Sequence, residues 1–275
     1  MRIAIFGIGS IGQRHVRNLL EMGETDLLGC DVRVGQGAYA TDLRIQCVSD
    51  AAMVWDWKPD AVLICTPPST HYELLNMAHY KCVHVFCEKP LCTRYQEARN
   101  SVAMANSSNR VLAIGYQLRF QLDALKAHGW RQNVDFYHGQ DMSAWPSQYK
   151  KDVLDEFSHE IDAAVYVNGP VMNVSAQDSN GDWLIQLHHV SAVSSICLSP
   201  TLNPYARFAD TNGMKWEFDL AKNDQAYKDE IKAFLEACRG EGWDERLCRG
   251  AEAAHTVRII EACRESAKDC KVVRL

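Results

Sequence analysis

The chain has 275 residues, 47% hydrophobic and 23% charged, with a formal net charge of −6. That length and balance suit a globular protein of one large or two ordinary domains, and the acidic charge argues against a nucleic-acid surface. No apolar stretch approaches the roughly 18 uninterrupted residues of a membrane span, and a strand opening at Arg2 leaves no room for a secretory leader. The expectation is a cytoplasmic protein with neither membrane nor nucleic-acid partner. Its eleven cysteines include no C-x-x-C spacing, so reduced, buried thiols are expected in place of disulfides, zinc or a dithiol pair.

Arg2-Ile3-Ala4-Ile5-Phe6 runs directly into Gly7-Ile8-Gly9-Ser10-Ile11-Gly12. A strand ending in G-x-G-x-x-G and turning at once into a helix is built to receive a pyrophosphate. Gly7 makes the tight turn, Gly9 lets the backbone approach the phosphates, and Gly12 lets the helix pack against its strand. The free N–H groups of the helix start, including the Ser10–Ile11 step, face the anion. Gln13 to Met22 reads as that helix and Gly23 ends it. The next strand, Leu27 to Cys30, stops at Asp31, about twenty residues beyond the last glycine, where the motif expects an acid on the ribose. Asp31 favours NAD over NADP, while Arg33 leaves NADP possible.

Alternation continues through a strand at 45–48, a helix at 50–57 capped by Ser49, and strands at 61–65, 84–87 and 111–115. Helices starting at Ser69 or Thr70 and at Tyr95 lie between these strands. Such alternation predicts a doubly wound parallel sheet, hence an α/β Rossmann domain over residues 1–118. From 119 to 275 the pattern changes. After a helix near 121–128 come strand-like runs at 134–138, 171–177, 183–188, 190–198, 205–209 and 214–218, with Asn180-Gly181 and Asn212-Gly213 as hairpin turns. A helix at 157–168 closed by Gly169-Pro170 and two terminal helices, near 224–238 and 245–267, complete an α+β domain with an antiparallel sheet.

Ligands of an open parallel sheet sit beyond the carboxyl ends of its strands. Three ends are chemically loaded: Asp31, Thr66-Pro67-Pro68 with His71 behind it, and Glu88-Lys89-Pro90. Pro90 pushes Lys89 toward an extended conformation at the end of a buried strand, which aims the amine at the crevice. In the second domain Asp155 and His159 share a face if their segment is helical, and Asp162 lies within reach of the same ring. A carboxylate beside a histidine suits a general base. Trp145 and Tyr149 precede this cluster as rim or core aromatics, and His188-His189 reads as a strand pair with one ring on each face, not a metal site.

Together these segments resemble the Gfo/Idh/MocA oxidoreductases, the group of glucose–fructose oxidoreductase, inositol 2-dehydrogenase and the rhizopine-catabolism enzymes. The resemblance rests on Gly7 to Gly12, Thr66-Pro67-Pro68 with His71, Glu88-Lys89-Pro90, Gly115 to Phe120, Asp155 with His159 and Asp162, and the ending Ile259 to Ser266. It implies NAD or NADP as cofactor, a sugar, cyclitol or sugar nucleotide as substrate, and a homodimer or homotetramer. It implies Lys89, His159 and Asp155 as the catalytic set, with Tyr116 and Arg119 near the substrate. Thr66, Pro67, His71 and Glu88 would lie along the cofactor. The chain departs from the family in having Lys150-Lys151-Asp152 where a Gly-Gly pair is frequent, and in being short.

The reaction expected from this set is hydride transfer between the nicotinamide and a ring carbon, with His159 taking the hydroxyl proton, Lys89 stabilising the alkoxide and Asp155 orienting the imidazole. Two other functions explain parts of the pattern. A non-catalytic NAD(H)-binding regulator accounts for the glycine turn but leaves Lys89, Asp155 and His159 without a purpose. A reductase of a linear tetrapyrrole or imine keeps the cofactor half but has no need of His159.

Overall fold

The computed structural model describes residues 1–33, 43–129, 132–143, 153–202, 205–218 and 223–275. These form two compact units, residues 1–117 with 224–254 and residues 118–223 with 255–275.

Unit 1 is built on strands β1 (Ile3–Phe6), β2 (Leu27–Cys30), β3 (Gln46–Val48), β4 (Ala61–Ile64), β5 (His84–Glu88) and β6 (Leu112–Gly115). Their spatial order is β3-β2-β1-β4-β5-β6, all parallel. This is the doubly wound order that reverses between β1 and β4 and opens a crevice at their carboxyl ends. Strands β1 and β4 are buried along their whole length, as continuous apolar runs covered on both faces should be. The crossovers are helices α1 (Ser10–Glu21), α2 (Ala51–Trp57), α3 (His71–Tyr80) and α4 (Tyr95–Ser108). The cap of α2 is Asp50, whose carboxylate accepts the Ala52 N–H at 2.8 Å; Ser49, the expected cap, stands one residue too early.

Unit 2 carries β7 (Val134–Gly139), β8 (Val171–Ser179), β9 (Asp182–His189), β10 (Val193–Ser199), β11 (Ala206–Thr211) and β12 (Met214–Glu217), with a C-terminal strand, Val273–Arg274, on the edge. The hairpins β8–β9 and β11–β12 turn on Asn180-Gly181 and Asn212-Gly213, all at positive φ, the conformation that a two-residue turn between twisted strands requires. The sheet is antiparallel except that β10 runs parallel to β7, a pairing that adjacency in sequence cannot reveal. Helix α5 (Asp123–Gly129), the short α6 (Val153–Glu156) and α7 (Ser158–Asn168) also belong here. Gly169 ends α7 at φ 79°, its N–H returning to Val165 O.

Two boundaries differ from the sequence reading. Residues 224–254, placed there in the second domain, pack in unit 1; they include helix α8 (Asn223–Arg239), whose Phe234 meets Phe86 of β5 edge-on. The last helix, α9, spans Gly250–Asp269 and does not begin at Glu245. Ahead of it Cys248–Arg249 forms an edge strand antiparallel to β6, and backbone bonding to β6 takes the place of a helical turn.

Candidate functional site

At the β1–α1 turn the three glycines do three different things. Gly7 sits at φ 84°, and a Cβ there would lie 2.7 Å from Cys65 O, where β1 and β4 diverge. A Cβ on Gly12 would lie 1.9 Å from Gly7 O, so α1 touches the turn backbone to backbone. Gly9 has nothing within 4 Å of its Cβ position. Space is kept clear above Gly9 alone, directly over the first turn of α1. Ser10 and Ile11 form that turn, and no side chain caps it, which leaves its N–H groups for an anion.

Asp31, at the end of β2, is 6% exposed. Its carboxylate accepts the Ile8 N–H at 2.9 Å, and both oxygens also receive the Arg33 side chain at 3.0 Å. The acid therefore ties the glycine turn to β2 and holds the Arg33 guanidinium in an ion pair. An arginine so tethered is less available for a 2′-phosphate.

Beyond β4, Thr66 and Pro67 lead into a 3₁₀ turn, Pro68–Thr70, closed by Thr70 Oγ1 donating to Pro67 O. His71 has no exposed surface; one ring nitrogen lies 2.9 Å from Pro90 O and the other 2.9 Å from Thr66 O. Burial lowers its pKa against the opposing pull of those carbonyls. The ring ties the loops after β4 and β5 together through those two carbonyls. Glu88 is also largely spent on structure. Its Oε1 meets His15 Nε2 of α1 at 2.7 Å, and the other oxygen lies beside Gly115, 3.0 Å from where a Cβ would be. His15 escaped the sequence reading; its signal is its place three residues after Gly12, on the buried face of α1. Lys89 follows at the carboxyl edge of the sheet, partly exposed, with a cis peptide to Pro90.

In unit 2 the acid–histidine segment is not one helix. It breaks at Phe157, between α6 and α7, so Asp155 and His159 do not share a continuous helical face. Asp155 Oδ1 receives Arg264 of α9 at 2.9 Å. His159 is 7% exposed at the start of α7. Its neighbour Glu160, 1% exposed, meets Arg207 Nε at 2.7 Å and His138 Nδ1 at 3.1 Å. Burial alone would raise the Glu160 carboxyl, but Arg207, then His138 and His159, outweigh it and hold the group well below the usual carboxylate range. Arg119 and Asp162 form a buried bidentate pair at 2.8 and 2.7 Å, with the guanidinium 5.0 Å from the Tyr166 ring.

Arg119 is 1% exposed and Tyr116 is fully buried. Their exposed surface is therefore small, and Arg119 is held by Asp162. Trp145 and Tyr149, like the Lys150–Asp152 run, lie outside the described residues.

A parallel sheet in this order, with a glycine turn at its switch point and an acid at the end of its second strand, defines a dinucleotide-binding Rossmann fold. Residues 1–116 match the model of the oxidoreductase family with an NAD-binding Rossmann fold. That match lies within unit 1 and covers less than half of the chain. D-glucoside 3-dehydrogenase of Escherichia coli (strain K12) is 34% identical over 128 residues, 45% of this chain and 36% of that protein. A myo-inositol 2-dehydrogenase of Thermotoga maritima is 29% identical over 127 residues, 44% of this chain and 37% of that protein. The matches thus span little more than a third of these relatives. The crystal structure of a myo-inositol dehydrogenase from Corynebacterium glutamicum shares the fold at a TM-score of 0.84 with 20% identity, covering 100% of this chain and 98% of that one.

Proposed function

We propose that the protein is an NAD-dependent dehydrogenase or reductase acting on a hydroxyl-bearing ring carbon of a sugar, cyclitol or sugar nucleotide. The observation that carries this reading is the open space over Gly9 at the sheet edge where Lys89 emerges. The dehydrogenase names of the partial relatives support the same class. Bound there, NAD supplies a hydride acceptor.

The chain supplies the remaining functions in this scheme. The first turn of α1 binds the pyrophosphate through its N–H groups, and Asp31 receives the ribose hydroxyls and disfavours a 2′-phosphate. Thr66 and Pro67 border the same crevice. The Lys89 ammonium donates to the substrate oxygen and stabilises it as it becomes an alkoxide, a contribution of roughly 3–4 kcal/mol for a well-placed donor. The His159 imidazole takes the hydroxyl proton, worth about 10²- to 10⁴-fold. Asp155, fastened by Arg264, orients that histidine, and Glu160 fixes the charge behind it. An assembly of two or four copies fits the family.

Cofactor reduction is followed with a panel of glucosides, inositols and UDP-sugars. One of them turns over, and Lys89→Ala and His159→Ala each lower kcat by about a hundredfold or more while NADH still binds. Absence of turnover across the panel, or wild-type kcat in either variant, rules the scheme out.

A further inference from the structure

Unit 1 contains a second polar pocket at the opposite edge of its sheet. It lies at the amino ends of β5 and β6, about 13 Å along the strands from the carboxyl edge at roughly 3.3 Å per residue. The pocket has a volume of about 620 Å³ and is lined in part by His84, Arg110, Trp243, Arg249 and the first residues of α9, Gly250 and Ala251. Among the described residues no acidic side chain lines it.

Its side chains carry an unresolved excess of donors. The Val111 N–H donates to His84 Nδ1 at 3.1 Å, so a neutral imidazole must carry its proton on Nε2. That nitrogen lies 3.3 Å from Arg110 Nη1, and a guanidinium nitrogen can only donate. Two N–H groups therefore face each other with no acceptor between them. Moving the proton to Nδ1 transfers the conflict to the Val111 N–H, and doubly protonating the ring leaves a conflict at both nitrogens. Burial of His84 and then Arg110 lower the imidazole pKa against the opposing pull of Asp60, as expected of a neutral ring beside a cation. An acceptor oxygen shared by Nε2–H and Nη1–H satisfies both donors.

Arg249 adds a second cation, its guanidinium 4.1 Å from the centre of the Trp243 ring. Arg119, Arg207 and Arg264 each pair with a carboxylate; among the described residues neither Arg110 nor Arg249 does. Two acids lie outside the lining: Glu252, in the first turn of α9, accepts the Arg249 backbone N–H at 2.9 Å, and Asp60 accepts the Arg2 backbone N–H at 2.7 Å. The start of α9, a helix of 20 residues, places further positive potential at the same wall.

We infer that this pocket is a binding site for a phosphate-bearing small metabolite, the phosphate held between His84 and Arg110 with Arg249 closing over it. Fork-shaped guanidinium donors suit phosphate oxygens, and the Trp243 ring and the pocket volume leave room for an attached sugar or nucleoside. The site shares no residue with the glycine turn and does not depend on the proposed reaction.

Isothermal titration of the full chain with inorganic phosphate, pyrophosphate and AMP, in a phosphate-free buffer at constant ionic strength, tests it. At least one of the three binds saturably. The Arg110→Ala, Arg249→Ala double variant weakens that binding by about tenfold or more, as expected for lost charge-assisted bonds, with Tm unchanged because both side chains are exposed. Gly9→Ala leaves the affinity as it was, which separates this site from the dinucleotide turn. No saturable binding by any of the three anions, an affinity unaffected by the double substitution, or an affinity lost with Gly9→Ala overturns the inference.

Discussion

Gly9 and Gly12 stand three residues apart in one motif, yet the physical demand on each is different. A methyl group at Gly12 collides with the Gly7 carbonyl, which is backbone and has no room to yield. At Gly9 the same methyl enters open space, and the φ of −74° there is one that alanine adopts freely. Gly9→Ala therefore keeps the wild-type Tm and weakens NADH binding by about tenfold or more, since the added carbon blocks close approach of the pyrophosphate. Gly12→Ala lowers Tm by several degrees, as a forced core shift of about 1–3 kcal/mol requires. Calorimetry together with NADH titration separates the two effects, and equal Tm losses in both variants would remove the distinction. A glycine pattern in a sequence does not say which glycine serves the ligand and which serves the packing.

Helix α7 shows how one charged element is seated inside a core. Its Asp162 is clasped by Arg119 from the 3₁₀ segment Gln117–Gln121, and its Glu160 by Arg207 from β11 and His138 from β7. Removing one partner of such a buried pair strands the other charge, at a cost of about 3–5 kcal/mol. Asp162→Ala is expected to lose that much in denaturant unfolding, while Arg119→Met with Asp162→Leu together recover most of it. A loss below about 1 kcal/mol in the single variant would show the pair to be exposed to solvent in practice. The spacing of Asp155, His159 and Asp162 singled out a segment that the structure divides between α6 and α7, and it gave no sign of the cations these acids meet. The structure gives Asp162 to Arg119 and Asp155 to Arg264, because cations arriving from distant segments are invisible to local spacing.

At the scale of the whole molecule, buried histidines couple stability to pH. His71, His79, His189 and His255 are all pushed down by burial, His79 to about 4. Each folded pKa lies below the unfolded value near 6.5, so the unfolded chain binds more protons and stability falls as pH drops below about 6.5. The share of His79 is lost between that value and about 4. Glu160, held low in the folded state, adds a loss at still more acid pH, below its ordinary carboxylate range. Tm should therefore be level above about pH 7 and decline steadily toward pH 4, with a shallower decline in His79→Leu. A level Tm across that range would contradict the burial of these rings.

The order of strands and helices in unit 1 was written into the chain, because a parallel sheet covered on both faces needs continuous apolar runs separated by helical crossovers. The hairpins at Asn180-Gly181 and Asn212-Gly213 were equally legible, since few residues tolerate a positive φ and two in succession mark a turn. Tertiary structure alone decided that β10 lies parallel to β7, that residues 224–254 complete unit 1, and that His71, Tyr116 and Arg119 are buried. It also brought His84, Arg110 and Arg249 to one pocket. Local sequence constrains torsion angles and the face a residue presents; partners separated by tens or hundreds of residues are chosen by packing, and an ionisable side chain takes its role from the charge it ends up beside.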